Sequence, residues 1–318
     1  MIATKAGAEL GPALPPAPPR AAVLITGASS GIGYATALRL VRSGFIVFAG
    51  VRREFDAQTL VREGGPDIAP LVLDVADAAS IAHAAATIAA RSDAKLLGLV
   101  NNAGIALAGP LELLSLDDLR RQFEVNFFGA LGLVQALAPT LRSTRGRIVN
   151  VSSIGGKLAS PFLGGYAASK FALEAASDAL RVELGAFGVH VAVVEPSAVR
   201  TPLWERGAGL SLRSLEDVDP ARRAAYDETI RKIVRISQRA ANRGMPPERV
   251  AEAIEHALLS PKPQARYLLG GGVRLQLAIA RMPEAIRDRL TTAALGAKTE
   301  VPKRRSKRLI RSHTRVST

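Results

Sequence analysis

The stretch Thr26-Gly27-Ala28-Ser29-Ser30-Gly31-Ile32-Gly33 follows a short apolar run and precedes a segment of helical composition. Glycines let a backbone turn sharply and approach a phosphate, and the first turn of a helix offers unpaired N–H groups and the positive end of its dipole. The spacing is G-x-x-x-G-x-G and not the G-x-G-x-x-G of the general dinucleotide fingerprint. This strand-to-helix turn indicates a nucleotide site, and a Gly-rich turn without a ligand is the alternative.

The end of the second predicted strand bears on the choice of nucleotide. A dinucleotide fold typically places a carboxylate about 20 residues after the glycine loop, where it binds the ribose hydroxyls. This chain has Gly50-Val51-Arg52-Arg53 there, and its nearest carboxylates come after the strand. An Arg suits a ribose 2′-phosphate because guanidinium offers paired donors. The sequence therefore favours NADP(H) with Arg52 as a ligand, and a solvated surface Arg pair is the alternative.

Short apolar runs alternate with longer Ala- and Leu-rich stretches, which predicts β-α-β units around a parallel sheet. Strands are predicted over residues 23–25, 46–49, 71–73, 97–100, 148–151, 189–194 and 267–269, and helices over 31–43, 78–91, 116–141 and 166–187. The longer connection over 201–264 must hold at least two helices and is expected to shape a substrate pocket. The predicted fold is α/β: a single doubly wound (Rossmann) domain with a seven-stranded parallel sheet and helices on both faces.

Tyr166 and Lys170 stand at i and i+4 of a predicted helix and share one face. A phenol has a pKa near ~10, and a neighbouring ammonium favours its phenolate form. A Tyr packed over a Lys stem is the alternative. Ser153 follows the fifth predicted strand, where doubly wound folds bind ligands, and can hydrogen-bond a substrate oxygen. A turn or N-cap serine is its alternative, and Ser152 competes for the assignment.

With these residues, the chain resembles the short-chain dehydrogenase/reductase family over about residues 21–272. The TGxxxGIG loop and the YxxxK pair carry the resemblance, together with Asp74-Val75, Asn101-Asn102-Ala103-Gly104 and Asn126 in the stretch VNFFG. Ser153 stands 13 residues before Tyr166, the family's usual separation, which favours Ser153 over Ser152. The sequence over 47–53 and 195–204 is similar to the steroid and retinol dehydrogenase branch.

The resemblance implies interconversion of a carbonyl and an alcohol. Tyr166 would be the general acid in reduction and the base in oxidation, and Ser153 would bind the reacting oxygen. Lys170 would lower the pKa of Tyr166 and bind the nicotinamide ribose, while Asn126 would keep a water on a proton relay to Lys170. Hydride transfer belongs to the cofactor.

The resemblance also implies a set of NADP(H) contacts. They are Gly27, Ser29, Ser30, Gly31, Ile32, Gly33, Arg52, Asp74, Val75, Asn102, Ala103, Gly104, Tyr166, Lys170, Pro196, Val199 and Thr201. Asp74 also fits a turn aspartate, and Asn101 a backbone-bracing amide. The chain departs from the family at Ser197, where a Gly is usual, and we expect that side chain to affect cofactor fit.

Apolar residues are predicted to form the walls of the substrate pocket: the loop 105–110, Trp204, Tyr226 and Met245. Together with the retinol-branch similarity they indicate a lipophilic alcohol or ketone, although apolar walls are common in small-molecule sites. The amphipathic segment 273–296 begins with strand-like alternation and ends at helical spacing. It is expected to pack on the core, with a pocket cover or peripheral membrane contact as alternatives. A homo-oligomer, dimer or tetramer, is expected.

Composition limits the chemistry. The chain is 48% hydrophobic and 22% charged, which suits a packed core, and no run approaches the roughly 18 apolar residues of a membrane span. The lack of Cys excludes disulfides and thiol chemistry, and four scattered His predict no metal site. Without a recognisable secretory signal, the prediction is a soluble, cytoplasmic protein.

The net charge of +14 is concentrated in the tail, because residues 301–318 carry seven Lys and Arg without an acid and leave +7 on the rest. Residues 1–20, rich in Pro and Ala, and the basic tail 297–318 are predicted to be disordered. A tail that binds a polyanion supports an alternative function, a non-catalytic NADP(H)-binding sensor or scaffold. The intact Asn-Ser-Tyr-Lys set favours the enzyme. An extended-type epimerase or dehydratase is disfavoured by the three-residue gap between Gly27 and Gly31.

Overall fold

Seven strands form one sheet in the computed structural model, which describes residues 21–295. They are β1 Ala21–Thr26, β2 Ile46–Val51, β3 Ile68–Val72, β4 Lys95–Asn101, β5 Arg147–Val151, β6 His190–Pro196 and β7 Arg266–Leu269. All neighbours pair in parallel, in the order β3-β2-β1-β4-β5-β6-β7. The predicted seven-stranded parallel sheet is confirmed.

Twelve α-helices occur within residues 21–295. They are α1 Gly31–Arg42, α2 Gln58–Gly64, α3 Ala78–Ala89, α4 Leu116–Phe123, α5 Gly129–Ser143, α6 Gly164–Gly185, α7 Leu203–Ser214, α8 Pro220–Ala224, α9 Asp227–Arg243, α10 Pro247–Leu259, α11 Val273–Ala280 and α12 Glu284–Leu295. The connection over 201–264 holds four of them, where at least two were predicted.

The two faces of the sheet bury different helices, because successive side chains of a strand point to opposite sides. Val23 and Ile25 of β1 belong to a core with α1 and α10. Ala22 and Leu24 belong to a second core with α3 and α5. All four side chains are fully buried, and burying a Leu or Ile side chain contributes roughly 1.5–3 kcal/mol. The prediction of helices on both faces is therefore confirmed.

The strand order reverses between β1 and β4, which pair side by side. In open parallel sheets, ligands bind outside the carboxyl ends of the strands at such a switch point. The glycine loop follows β1, and Asn102-Ala103-Gly104 follows β4, so both segments lie at this crevice.

Two predicted elements differ from the structure. The predicted helix over 116–141 is α4 and α5 joined by a π-helical turn, Glu124–Phe128, which contains Asn126. The strand-like start of segment 273–296 is wrong, because α11 begins at Val273. Its alternating apolar residues are not all buried: Val273 is buried, while Leu275 is 64% exposed.

Of the described residues, 21–280 belong to one compact unit, and α12 belongs to a second that starts at Arg281. The predicted boundary between residues 272 and 273 stays a prediction. The predicted extension 1–20 and the tail 297–318 lie outside the described residues. Within residues 21–295, every helix is too short or too polar to cross a membrane.

Candidate active site

A cavity of about 670 Å³ opens at the carboxyl ends of the strands. Its walls come from the loops after β1 to β6 and from α7. Of the predicted site residues, all line the cavity except Gly33 and Asn126. Its volume is typical of a small-molecule or cofactor site.

The glycine loop is shaped by backbone conformation and close packing. Gly27 and Gly31 have φ values of +65° and +58°, a region that side chains strongly disfavour. A Cβ atom at Gly31 would lie 2.9 Å from the Cγ2 atom of Thr201, and one at Gly33 would collide with the carbonyl oxygen of Gly27. Gly31 therefore keeps the cradle open, whereas Gly33 allows the first turn of α1 to approach the loop.

Thr26 joins the glycine loop to the turn after β4. Its Oγ1 atom accepts hydrogen bonds from the backbone N–H groups of Asn102 and Ala103, both at 2.9 Å. The Nδ2 atom of Asn102 donates to the carbonyl oxygens of Thr26 at 2.8 Å and Gly27 at 3.2 Å. Sequence analysis did not select Thr26, although a hydroxyl at the end of an otherwise apolar strand was a usable signal. Asn101 instead donates to Asn150 at 2.9 Å, as a bracing amide would.

Arg52 and Arg53 differ in their surroundings at the end of β2. Arg53 forms two hydrogen bonds with Asp56, at 2.8 and 3.1 Å, and does not line the cavity. Arg52 lines the cavity and is exposed, next to the buried Val51. Asp74 also lines the cavity, and its Oδ1 accepts from the backbone N–H of Ala76 at 3.0 Å, so the turn-aspartate interpretation applies as well.

Ser153, Tyr166 and Lys170 meet on one wall of the cavity. Helix α6 brings Tyr166 and Lys170 together one turn apart, and the Lys170 Nζ atom lies 5.9 Å from the centre of the Tyr166 ring. Lys170 donates to the carbonyl oxygen of Val151 at 2.9 Å. The Ser153 Oγ accepts from the backbone N–H of Gly155 at 3.0 Å, which fixes its position beside the Tyr166 hydroxyl.

Burial changes the protonation of both α6 groups. Burial raises the pKa of Tyr166, and the hydrogen bond with Ser153 opposes this. Burial lowers the pKa of Lys170 to about 8, and the negative charge of Glu174 opposes this. A phenolate on Tyr166 and an ammonium on Lys170 would attract each other, and this attraction would offset the burial that disfavours either charge alone. The predicted lowering of the Tyr166 pKa by Lys170 stays a prediction.

The Asn126 side chain braces the loop after β4. Its Oδ1 atom accepts from the backbone N–H of Ile105 at 2.8 Å. Its Nδ2 atom donates to the Ile105 carbonyl oxygen at 2.9 Å and to the Ser169 Oγ atom at 3.0 Å. Because the side-chain oxygen and nitrogen are engaged in this way, the predicted contact with a relay water would have to be made by the main chain of Asn126. That main chain lies in the π-helical turn.

The Ser197 side chain has room because Gly270, in the turn after β7, carries no side chain. A Cβ atom at Gly270 would collide with the Ser197 Oγ atom, and Gly270 has a φ of +115°. The Ser197 N–H donates to the Leu269 carbonyl oxygen at 2.8 Å, which aligns the two loops. The Ser197 side chain thus packs against the turn after β7, although the residue also lines the cavity.

A partly buried cluster of charges, with Glu174 and Glu195 as its buried members, lies behind Lys170 and was not found by sequence analysis. Arg266 pairs with Glu174, Glu195 and Asp178, and the Lys157 Nζ atom lies 2.9 Å from Glu174. Burial raises the pKa of Glu195 to about 7, and the nearby Glu174 adds to the effect. These carboxylates are paired with cations, and no group able to hold a metal occurs among residues 21–295.

Helix α7 forms one side of the cavity. The Trp204 ring lies 6.1 Å from the Tyr166 ring, centre to centre. The Ser211 Oγ atom accepts from the backbone N–H of Ala108 at 2.7 Å, which anchors α7 to the loop after β4. A small apolar cavity of about 30 Å³ lies between α7, this loop and α9. The predicted wall residues Tyr226 and Met245 line neither cavity.

Comparison with known proteins gives consistent relatives. A family model described as short chain dehydrogenase matches residues 21–208. Human retinol dehydrogenase 5 is 37% identical over 287 residues, covering 86% of this chain and 88% of that protein. An NADPH-dependent 3-dehydrocapnine reductase of Ornithobacterium rhinotracheale is 31% identical, covering 84% and 94%. The crystal structure of a short-chain dehydrogenase from Streptomyces avermitilis has a TM-score of 0.70 and 31% identity, covering 86% and 96%.

Proposed function

The chain belongs to the short-chain dehydrogenase family, and from that premise we propose that it is an NADP(H)-dependent oxidoreductase that interconverts a carbonyl and an alcohol. The observation that supports this most strongly is the arrangement of Ser153, Tyr166 and Lys170 on one wall of the cavity that the glycine loop also lines. Lys170 is nearly fully buried, which costs stability, since burial disfavours the charged ammonium.

The cofactor site suits a dinucleotide with a 2′-phosphate. Gly27 and Gly31 leave space beside the N-terminus of α1, where a pyrophosphate would accept hydrogen bonds from backbone N–H groups. At the end of β2, Val51 offers no carboxylate to repel a phosphate, and the exposed Arg52 lines the cavity. The relative named as NADPH-dependent also supports NADP(H).

In the proposed reduction, Lys170 and Thr201 would hold the nicotinamide end of the cofactor, which would supply the hydride for the carbonyl carbon. Ser153 binds the carbonyl oxygen, and the Tyr166 hydroxyl donates a proton to it. The Lys170 ammonium stabilises the phenolate that Tyr166 becomes, in a site where both groups are shielded from water. Asn126 holds the loop after β4 in place through Ile105.

The substrate is proposed to be a lipophilic alcohol or ketone. Trp204 packs beside Tyr166. Further apolar surface in the same cavity comes from Ala106, Leu203 and Leu210. The similarity to a protein named retinol dehydrogenase supports the same class. The expected homo-oligomer stays a prediction.

A substrate panel tests the proposal. The purified chain is incubated with NADPH or NADP⁺ and with lipophilic ketones, aldehydes and alcohols, and nicotinamide absorbance is followed. Small sugars with the same functional groups serve as polar controls. We expect turnover of lipophilic compounds above that of the controls. Cofactor binding without turnover of any compound would support a nucleotide-binding sensor instead, and turnover confined to the sugars would contradict the lipophilic class.

A further inference from the structure

Helix α7 carries an arginine over the cofactor cleft that the proposed mechanism does not use. Arg206 is exposed and lines the large cavity, one turn before Leu210, which lines it too. Among the described residues, no carboxylate lies within 4.0 Å of its guanidinium. An exposed cation that faces a cleft without an ion-pair partner is available to an anionic ligand.

The positive charges of Arg206 and Arg52 affect the same region of the cleft, although the two residues are far apart in sequence. The pKa of Asp56 is lowered, first by its hydrogen bond with Arg53 and then by the charges of several arginines, including Arg52 and Arg206. Both guanidiniums are therefore within electrostatic range of one carboxylate beside the end of β2. Of these groups, only Arg52 and Arg206 line the cavity.

Positive charge exceeds negative charge among the described residues that line the cavity, which are one acid, Asp74, and five cations: Arg52, Arg121, Lys170, Arg206 and Arg213. Glu54 precedes Asp56 in the same turn and Glu205 precedes Arg206 on α7, and both are exposed without lining the cavity. Asp56 itself is held by Arg53. Asp74 is the acid that does line this end, and its Oδ1 is engaged by the backbone N–H of Ala76.

We propose that Arg206 is a second ligand of the cofactor's 2′-phosphate, opposite Arg52, and so a specificity-determining residue. The inference rests on the proposed use of NADP(H). A phosphate oxygen set accepts hydrogen bonds from several directions, and arginine suits it because its donors are fixed in a planar fork. Arg52 follows β2 and Arg206 lies on α7, so the phosphate would receive donors from two separate elements of the fold.

The proposal links cofactor choice to the substrate wall. Trp204 stands two residues before Arg206 on α7 and packs beside Tyr166, while Ser211 fixes the same helix to the loop after β4. A phosphate bound to Arg206 holds α7 over the cleft and thereby positions Trp204. NADPH should therefore order α7 more than NADH does.

Trp204 is the single tryptophan of the chain, so its fluorescence can be used to measure cofactor binding. Titration of Trp204 fluorescence gives Kd values for NADPH and NADH with wild type, Arg206→Gln, Arg206→Lys and Arg213→Gln. Arg213 is the matched control, since it is an exposed arginine on the same helix, seven residues further along, and it lines the same cavity. Hydrogen exchange of residues 203–214 is measured in parallel with each cofactor.

We expect Arg206→Gln to raise the Kd of NADPH about tenfold and that of NADH less than twofold, with Arg206→Lys in between. NADPH should slow exchange over 203–214 in wild type and in Arg213→Gln, and less in Arg206→Gln. Equal increases of Kd for both cofactors, or the same effect from Arg213→Gln, would overturn the proposal. If Arg52→Ala weakens NADPH selectively while Arg206→Gln changes nothing, the Arg206 role is wrong and the proposed function stands. Failure of wild type to bind either cofactor would instead contradict the proposed function.

Discussion

Replacement of Lys170 by Met should separate the cost of a buried ammonium from its use in catalysis. The Lys170 side chain is 4% exposed, and burial lowers its pKa from the ordinary 10.5 to about 8. A tenfold change in a proton-binding constant corresponds to about 1.4 kcal/mol, so keeping the charged form buried near neutral pH costs about 3 kcal/mol. Met has similar length and no charge.

The direction in which stability changes with pH follows from the pKa of Lys170, which is lower in the folded chain than in the unfolded chain. Between about pH 8 and pH 10.5 the unfolded chain holds a proton on Lys170 that the folded chain has lost. The free energy of unfolding of wild type therefore rises with pH in this window and falls as pH decreases through about 8. Relative to Lys170→Met, wild type should gain about 3 kcal/mol between about pH 7.5 and pH 10.5. The lost hydrogen bond to Val151 adds only a pH-independent difference.

Urea unfolding followed by Trp204 fluorescence measures this difference at each pH. Lys95→Met is the control, because Lys95 is exposed and the same chemical change there leaves a solvated site in both states. We expect the Lys95→Met curve to run parallel to that of wild type. A Lys170→Met curve that is also parallel to wild type would show that burial does not perturb Lys170, and would refute the reasoning. Turnover should be lost in Lys170→Met at every pH.

Three further outcomes are expected. Arg52→Ala should lower kcat/KM with NADPH about ten- to a hundredfold and hardly change it with NADH. Val51→Asp should shift the preference to NADH. Equal effects of Arg52→Ala on both cofactors would show that Arg52 is a solvated surface residue. Gly270→Ala should lower the free energy of unfolding by collision with Ser197 and backbone strain, and Ser197→Gly should restore part of it; a purely additive double variant would contradict the contact. Removal of residues 301–318 should leave kcat/KM unchanged and abolish any salt-dependent binding to heparin, and a large rise in KM would contradict this.

Local sequence patterns were sufficient for the sheet and for most of the cavity. Buried parallel strands are nearly continuous apolar runs, and the glycine loop has a spacing with a direct backbone cause, so β1 and its loop could be located within a few residues. The helix carrying Tyr166 and Lys170 was also predicted within two residues at either end. These features depend on neighbours close in sequence.

Features that depend on distant contacts were missed. Ser197 meets Gly270, and Arg266 meets Glu195, only because β6 and β7 are adjacent. Arg266 meets Glu174 because α6 packs beside β6. The position of Arg206 depends on how α7 returns over the cleft, which periodicity does not reveal. The π-helical turn at Asn126 has no sequence signal of its own, since its flanking residues fit a regular helix.

The claim that Tyr166 transfers the proton in a carbonyl–alcohol interconversion is tested most directly by Tyr166→Phe. The measurement is kcat with the best substrate of the panel, together with the Kd of NADPH for the same protein. The variant loses only the hydroxyl, and the ring retains its packing against Trp204. We predict that kcat falls by roughly 10²–10⁴-fold, the usual contribution of a general acid, while the Kd of NADPH stays within a factor of about two. Turnover by Tyr166→Phe comparable to that of wild type would contradict the account and assign the chemistry to another group.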